Sequence, residues 1–136
     1  MEGQTNWLAL GAGVIATQFI GFIWYHPKVF GTAWKREIGM TDEQQKQTNL
    51  FLTMFISIIV MCAVAYALKY VAHGEARYVT FKHGAYHALM DGAMLVIPVI
   101  AITTMYEQRS LKYFGITAGY WLLNLSVIGG IISWWR

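Results

Sequence analysis

The chain has 136 residues, enough for one ordinary domain, and we expect a single domain over residues 1–136. Hydrophobic residues make up 57% of the chain and charged residues 12%, about half of the roughly 25% that a soluble domain carries. This little charge cannot coat a water-exposed surface, which excludes an ordinary soluble protein. The net charge of +3 comes without a basic stripe, so we expect no nucleic-acid partner and assign the excess to loops facing lipid headgroups.

Four apolar stretches predict four transmembrane helices. They lie at about 7–25, 50–72, 82–105 and 111–135. At about 1.5 Å per residue, each is long enough to cross a hydrocarbon layer about 30 Å thick. The stretches are continuously apolar rather than alternating, which favours helices over a transmembrane barrel. The predicted fold class is therefore an all-α polytopic membrane protein, with the lipid bilayer as its main partner.

The loop between the first two spans has structure of its own. Residues 28–48 form a predicted interfacial segment, because Phe30 and Trp34 recur at helical spacing among charged residues. Thr41, followed three residues later by Gln44, has the pattern of a capping box and predicts a new helix start. We expect the second span to begin as this helix.

Positive charge differs slightly between the two sides of the predicted bundle. The first and third linkers share one side and hold six basic residues, Lys28, Lys35, Arg36, Lys46, Arg109 and Lys112, whereas the other side holds four, Lys69, Arg77, Lys82 and Arg136. Because the more positive side tends to remain in the cytoplasm, we expect both termini outside.

The third span carries a polar stripe in otherwise apolar sequence. His83, His87 and Asp91 are four residues apart and therefore share one helix face. The stripe is about 12 Å long and runs from an interface toward the bilayer centre. A charged Asp91 there costs about 2.5–3.5 kcal/mol on insertion scales, so it needs a partner, water or a proton. Pro98 removes a backbone donor, and we expect a kink beyond Asp91.

Three interpretations of the polar stripe stay open. A proton or ion pathway would use Asp91 as its deep site and His83 and His87 as the route to it, with Gln18 and Asn124 as further lining residues. A divalent-metal site would use the two histidines as a clamp and Asp91 as a further ligand. A structural role would pair Asp91 with Gln18 or Asn124. We expect no organic cofactor.

Small residues beside the stripe predict close helix packing. Gly84, Ala88 and Gly92 are spaced by four on the third span, and Gly115 and Gly119 repeat the spacing on the fourth. Such residues let two helix backbones approach each other, so both helices should pack tightly on a neighbour within the chain or across a dimer. The polar stripe should then face protein rather than lipid.

A block at residues 24–34 gives the chain a family resemblance. The block consists of Trp24, Tyr25, Pro27, Phe30, Gly31 and Trp34, and the segments YEQRSLKYFGITAGYW and GGIISWW extend the likeness. The sequence resembles, nearly end to end, the small bacterial integral-membrane family catalogued as domain of unknown function 1761. The resemblance implies four membrane helices without an assigned activity, and a bacterial inner membrane as the location. That family usually has Asn at position 26 and a small residue at position 91, which weakens a family-wide role for the polar stripe, although the segment TFKHGAYH also shares the likeness.

The block itself has two interpretations. It could form an aromatic pocket for a lipid headgroup, or it could turn the chain and anchor the surface helix. We favour the anchor, because Pro27 stops a helix, Gly31 permits a turn and tryptophan holds an interfacial depth.

The sequence contains no nucleophile elbow, phosphate loop, dinucleotide fingerprint or zinc-protease motif, so we expect no enzyme. Two functions remain. The first is a small proton- or ion-coupled transporter or channel, homodimeric because four helices enclose little pathway. The second is an accessory or scaffold protein that binds lipid or partner membrane helices.

Overall fold

A computed structural model describes residues 5–71 and 80–135, and these residues contain helices and no strands. In chain order the helices are α1 (Trp7–Trp24), α2 (Thr32–Ile38), α3 (Asp42–Gln47), α4 (Leu50–Val71), α5 (Phe81–Asp91), α6 (Ile97–Tyr106) and α7 (Leu111–Trp134). Four helical segments are long and apolar enough to cross a membrane, namely α1, α4, α5 with α6, and α7. The predicted fold class is confirmed.

Several spans begin at a side-chain cap. Asn6, Thr80 and Ser110 precede α1, α5 and α7, and each accepts a hydrogen bond from the backbone N–H three residues later. Such caps satisfy donors that a helix N-terminus otherwise leaves unpaired. Local sequence therefore fixes where these spans start, which is why the predicted bounds lie close to those observed.

The predicted capping box in the first loop is confirmed. Thr41 Oγ1 accepts from the Gln44 N–H at 3.2 Å, and Gln44 Oε1 accepts from the Thr41 N–H at 2.9 Å. The expectation that the second span continues from this helix is wrong. Thr48 is extended with ψ at 121°, and Asn49 Oδ1 accepts from the Leu52 N–H at 3.0 Å, so α4 has a separate start.

The surface helices α2 and α3 are joined by a tight turn. Gly39 ends α2 in the left-handed conformation with φ at +67°, which glycine adopts without steric cost. Lys35 donates a hydrogen bond to the Asp42 carboxylate across the turn and thereby lowers the pKa of that carboxyl. Both groups lie outside the spans, where this pair orders the loop.

Helix α7 is the centre of the bundle and contacts α1, α4, α5 and α6. Three contacts show that α1 runs antiparallel to α7. Trp24 Nε1 donates to the Ile116 carbonyl at 3.1 Å, Gly21 lies beside Tyr120, and Gly13 lies beside Ile128. The buried apolar core follows the same helices and consists of Leu10, Val14, Met61, Ala65, Leu68, Ala88, Leu125, Ile128 and Ile132.

The small residues of α5 pack on α7, as predicted. A Cβ added at Gly84 would lie 2.1 Å from the carbonyl oxygen of Gly129, and Ala88 Cβ meets the same glycine. Gly115 and Gly119 do not form the matching surface. A Cβ at Gly115 would contact nothing within 4 Å, and one at Gly119 would meet the Trp24 ring of α1. Gly119 therefore packs on a neighbour within the chain, namely α1, whereas Gly115 has no such contact among the described residues.

Two π-helical turns accompany the two prolines of the chain. In the turn Pro27–Gly31, the Gly31 N–H donates to the His26 carbonyl at 3.0 Å. In the turn Gly92–Val96, the Ile97 N–H donates to the Gly92 carbonyl. The kink expected beyond Asp91 stays a prediction, and the structure has a π turn there, before Pro98. Such turns accommodate a missing backbone donor by widening one helical turn.

Candidate functional site in the middle of the spans

Asp91 lies at the C-terminal end of α5, immediately before the second π turn. Its side chain is half-buried, and its Oδ2 is buried with no hydrogen-bond partner among the described residues. A buried acceptor without a partner costs about 1–3 kcal/mol, and a charged one costs more. Asp91 therefore occupies a position that favours a proton, a water molecule or a cation beside its carboxyl group.

Gln18 and Asn124, the two residues expected to pair with Asp91, have other partners. Gln18 Oε1 accepts a hydrogen bond from Ser57 Oγ at 2.9 Å, which joins α1 to α4. Asn124 Nδ2 donates to the Tyr120 carbonyl of its own helix at 2.8 Å. The expected pairing with Asp91 is absent from the described residues, so the structural interpretation loses the contact on which it depended.

Asn124 is fully buried, and its Oδ1 has no hydrogen-bond partner within the described ranges. Gly21 and Gly13 of α1 contact α7 four residues to either side of Asn124, at Tyr120 and Ile128. Thr17, midway between those glycines and also fully buried, is therefore level with Asn124.

Asp91 lies at the same depth on the other side of α7. Its neighbour Gly92 packs against Leu122 and Leu125, which belong to the same helical turn as Asn124. The unpaired oxygens of Asp91 and Asn124 are thus two buried acceptors at one level of the bundle.

Each of the four spans contributes to this level, near the middle of its length. We call the set the polar layer, and it consists of Thr17, Gln18, Ser57, Asp91 and Asn124. Polar side chains at mid-span depth are costly in lipid unless they meet protein, water or one another. The sequence indicated Gln18, Asp91 and Asn124, but Thr17 and Ser57 give no such signal, because small hydroxyl residues are common in spans and bond to their own backbone.

The two histidines of the polar stripe lie side by side. The ring centroids of His83 and His87 are 4.4 Å apart, at an interplanar angle of 59°. His83 is half-buried, whereas His87 is exposed on the outer face of α5. Within one copy of the chain, the stripe therefore does not face protein at His87. Helix α7 covers the neighbouring face of α5, which is rotated by one residue position from the stripe, so the His87 side chain is exposed.

The described residues contain no group of three or more His, Cys, Asp or Glu side chains that could hold a metal ion. The predicted ligand set of His83, His87 and Asp91 therefore does not assemble in this structure. The reason is geometric: Asp91 lies two helical turns from His83, beyond the reach of one metal coordination sphere.

The aromatic block forms a compact corner where α1 ends. The ring centroids of Trp24 and Phe30 are 4.5 Å apart, and those of Tyr25 and Trp34 are 5.2 Å apart. A Cβ at Gly31 would lie 2.1 Å from the Tyr25 carbonyl oxygen, so no larger residue fits there without a backbone shift. Burial raises the pKa of the Tyr25 hydroxyl, with Tyr120 and Tyr113 as smaller causes.

His26 precedes this corner and caps it. Its Nδ1 accepts a hydrogen bond from the Lys28 N–H at 3.1 Å. The side-chain oxygen of asparagine can make the same kind of bond at a cap, so His26 fills a role that asparagine commonly has.

The surface of α7 that contacts the small residues of α5 was not predicted from the sequence. It consists of Gly129 and Ser133, with Gly130 beside the Phe81 ring. Gly129 and Ser133 are four residues apart, so the small-residue spacing that revealed Gly84 would also have revealed them.

One of three comparisons with known proteins finds a match. The family described as "Protein of unknown function (DUF1761)" matches residues 8–133. Neither a search of curated proteins nor a search of solved structures finds a significant match. The matched region contains the aromatic block, the polar layer and all four spans except the first residue of α1 and the last residue of α7. The chain therefore belongs to the DUF1761 family of proteins of unknown function.

Proposed function

We propose that the protein is a small proton- or cation-coupled transporter or channel with Asp91 as its deep site. The observation that carries this proposal is the buried Oδ2 of Asp91, which has no hydrogen-bond partner among the described residues. Ionisable groups inside membrane spans are costly and mark ion and proton pathways more often than other residues do. The proposal assigns no enzymatic step and no organic cofactor to the protein.

The other members of the polar layer support a transferable proton or cation. A protonated Asp91 can donate, and Asn124 Oδ1 is an unpaired acceptor at the same depth. The two oxygens lie on different sides of α7, so each would attract a cation or a water molecule separately. The carboxyl group of Asp91 is therefore the proposed binding site for the transported proton or cation.

The histidines supply a route from one end of the third span. His83 lies near the start of α5 and His87 one turn deeper, with their rings in contact distance. Imidazole exchanges protons near neutral pH and can pass them between neighbours. Asp91 is one further turn along the same face.

A second copy of the chain would complete the pathway. His87 is exposed on the outer face of α5, where lipid would surround it in a single copy. A homodimer formed on that face would cover both histidines and enclose the stripe between two bundles. Four helices alone enclose little space, so dimerisation and transport are parts of one proposal.

A flux assay tests the proposal. The purified protein is reconstituted into liposomes that contain a pH-sensitive dye, and a potassium gradient with valinomycin drives proton entry. We expect proton flux from the wild type and flux at the protein-free level from Asp91→Asn, which keeps the shape of the side chain and removes its titration. Glu43→Gln, an exposed acid on α3, is the matched control and should retain flux.

Two outcomes would contradict the proposal that the protein is a transporter or channel with Asp91 as its deep site. Equal flux from the wild type and Asp91→Asn would remove Asp91 from the pathway. Absence of flux from both, repeated with sodium and potassium as the driven ions, would leave the accessory or scaffold function as the better account.

A further inference from the structure

A pocket lies at the end of the bundle where α2, α3 and the start of α7 meet. Its volume is about 620 Å³, and its walls include Trp34, Gln44, Gln47, Arg109 and Tyr113. The hydrogen bond from Ser110 Oγ to the Glu37 carboxylate holds the two linkers together beside it. The pocket is therefore built from both linkers on one side of the spans, at the depth where a bilayer has its headgroups.

Arg109 provides an unused donor in this pocket. Its Nε is buried and makes no hydrogen bond to any described residue. The nearest acid is Glu107, whose Oε2 is 3.5 Å from Nε, close enough for an ion pair but not aligned as a hydrogen bond. The Arg109 guanidinium also lies 5.8 Å from the centre of the Tyr113 ring. The Arg109 side chain is 35% exposed, but its buried Nε lacks an aligned acceptor, which an anionic oxygen in the pocket would supply.

The turn that places Arg109 is itself strained. Gln108 has φ at 54°, in the left-handed region that non-glycine residues rarely adopt. The Arg109 N–H donates to the Thr104 carbonyl at 3.0 Å, which closes the end of α6 and fixes the position of Arg109. The backbone of Arg109 is therefore fixed beside the pocket by this helix end.

The remaining walls match the other parts of a phospholipid headgroup. Gln44 and Gln47 can donate amide hydrogen bonds to phosphate or glycerol oxygens, and Trp34 and Tyr113 are of the residue types that lie at headgroup depth. Ile38 and Met40 add apolar wall, where the first part of an acyl chain could lie. Free phosphate would leave that apolar wall uncovered, which favours a lipid as the source of the phosphate.

We propose that this pocket binds the phosphate headgroup of a phospholipid, with Arg109 as the anion ligand. The inference is independent of the proposed transport through Asp91, which lies near the middle of the third span. It also changes the role of the aromatic block, because Trp34 then both anchors the surface helix and forms a wall of a lipid site.

Binding is measured by native mass spectrometry and calorimetry on the delipidated full chain in a non-ionic detergent. The probe is dihexanoyl phosphatidylglycerol below its micelle concentration, and the comparison compounds are dihexanoylglycerol, which lacks the phosphate, and inorganic phosphate. We expect the phospholipid to bind in a one-to-one complex. Binding of dihexanoylglycerol at equal affinity would overturn the proposal, and so would inorganic phosphate that binds as tightly as the phospholipid, because it would show a free-phosphate site.

Two variants of neighbouring cations localise the site. Arg109→Gln should weaken phospholipid binding about tenfold, the loss expected for one charge-assisted hydrogen bond. Lys112→Gln removes an exposed cation of the first turn of α7, outside the pocket lining, and should leave the affinity unchanged. Equal losses from the two variants would indicate diffuse attraction and overturn the proposal.

A third variant covers the case in which Arg109→Gln does not fold, as judged from helical circular dichroism and gel filtration. Arg109→Lys keeps the positive charge and removes Nε, so it should bind the phospholipid more weakly than the wild type while folding normally. Affinity equal to that of the wild type would show that Nε is not the ligand.

Discussion

Gly84 is the residue at which the third and fourth spans come closest. The position of its missing Cβ is 2.1 Å from the Gly129 carbonyl oxygen and 2.3 Å from Ser133 Cβ. Neither neighbour is the flexible end of a long side chain, so a methyl group at Gly84 must separate the two helix backbones. The packing of α5 on α7 therefore depends on a hydrogen atom at this position.

We predict that Gly84→Ala destabilises the protein by about 1–3 kcal/mol, the usual cost of overpacking. Gly115→Ala is the matched control, because its Cβ would contact nothing within 4 Å, and it should change stability by less than about 1 kcal/mol. Reversible unfolding in mixed micelles measures both values. A smaller loss for Gly84→Ala than for Gly115→Ala would show that the helices do not approach as described.

At the scale of single residues, the sequence predicts which positions are structurally important better than it predicts which side chains those residues contact. Spacing alone identified Gly84 and Asp91. It could not show that Asp91 lacks both Gln18 and Asn124, because a partner depends on how each helix is rotated about its axis. A rotation of one residue position, about 100°, decides whether a side chain such as His87 meets protein or lipid.

At the scale of elements, the turn between α6 and α7 combines a rare backbone conformation with a functional neighbour. The Gln108 N–H donates to the Met105 carbonyl and the Arg109 N–H to the Thr104 carbonyl, a helix end that usually has glycine at the left-handed position. Gln108 has φ at 54° there. A β-branched residue is disfavoured in this conformation, whereas glycine and asparagine are tolerated.

We therefore predict that Gln108→Val lowers the free energy of unfolding by about 1 kcal/mol, through strain in the left-handed conformation. Gln108→Gly and Gln108→Asn should be neutral or slightly stabilising at the same position. Thermal unfolding of the three variants in one detergent provides the comparison. If valine and glycine have the same effect, the turn does not hold the conformation described.

Element boundaries were predictable because their causes are local. Apolar length fixed the spans, and the side chains of Thr41 and Ser110 mark helix starts by residue type alone. The break between α3 and α4 was missed, since Thr48 and Asn49 lie between two sequences that both favour helix. The π turn at Gly92–Val96 was not predicted, although a kink was expected near Pro98, because the sequence does not show which hydrogen bond shifts.

At the scale of the whole molecule, two hydrogen bonds identify the two ends of the bundle. Asn6 Nδ2 donates to the Trp135 carbonyl at 2.8 Å and joins the start of α1 to the end of α7. At the opposite end Ser110 donates to Glu37, which joins the third linker to the first. The first and third linkers therefore share one side, as the count of spans predicted.

This arrangement gives a labelling prediction. In a Cys62→Ser background, Gln45→Cys and Glu107→Cys should react with a membrane-impermeant maleimide from the same side, and Lys82→Cys from the other. All three positions are exposed. The positive-inside rule places the first pair in the cytoplasm. Reaction of Lys82→Cys and Gln45→Cys from one side would contradict the four-span topology.

The central position of α7 has a consequence for biosynthesis. Spans enter the membrane in the order of translation, and α7 follows α1, α4 and the third span along the chain. Until it leaves the ribosome, the three earlier helices lack the surface against which Thr17 and Gly84 are buried. The polar mid-bilayer groups of the newly inserted chain must therefore be shielded by the insertion machinery or by water until the last helix is inserted.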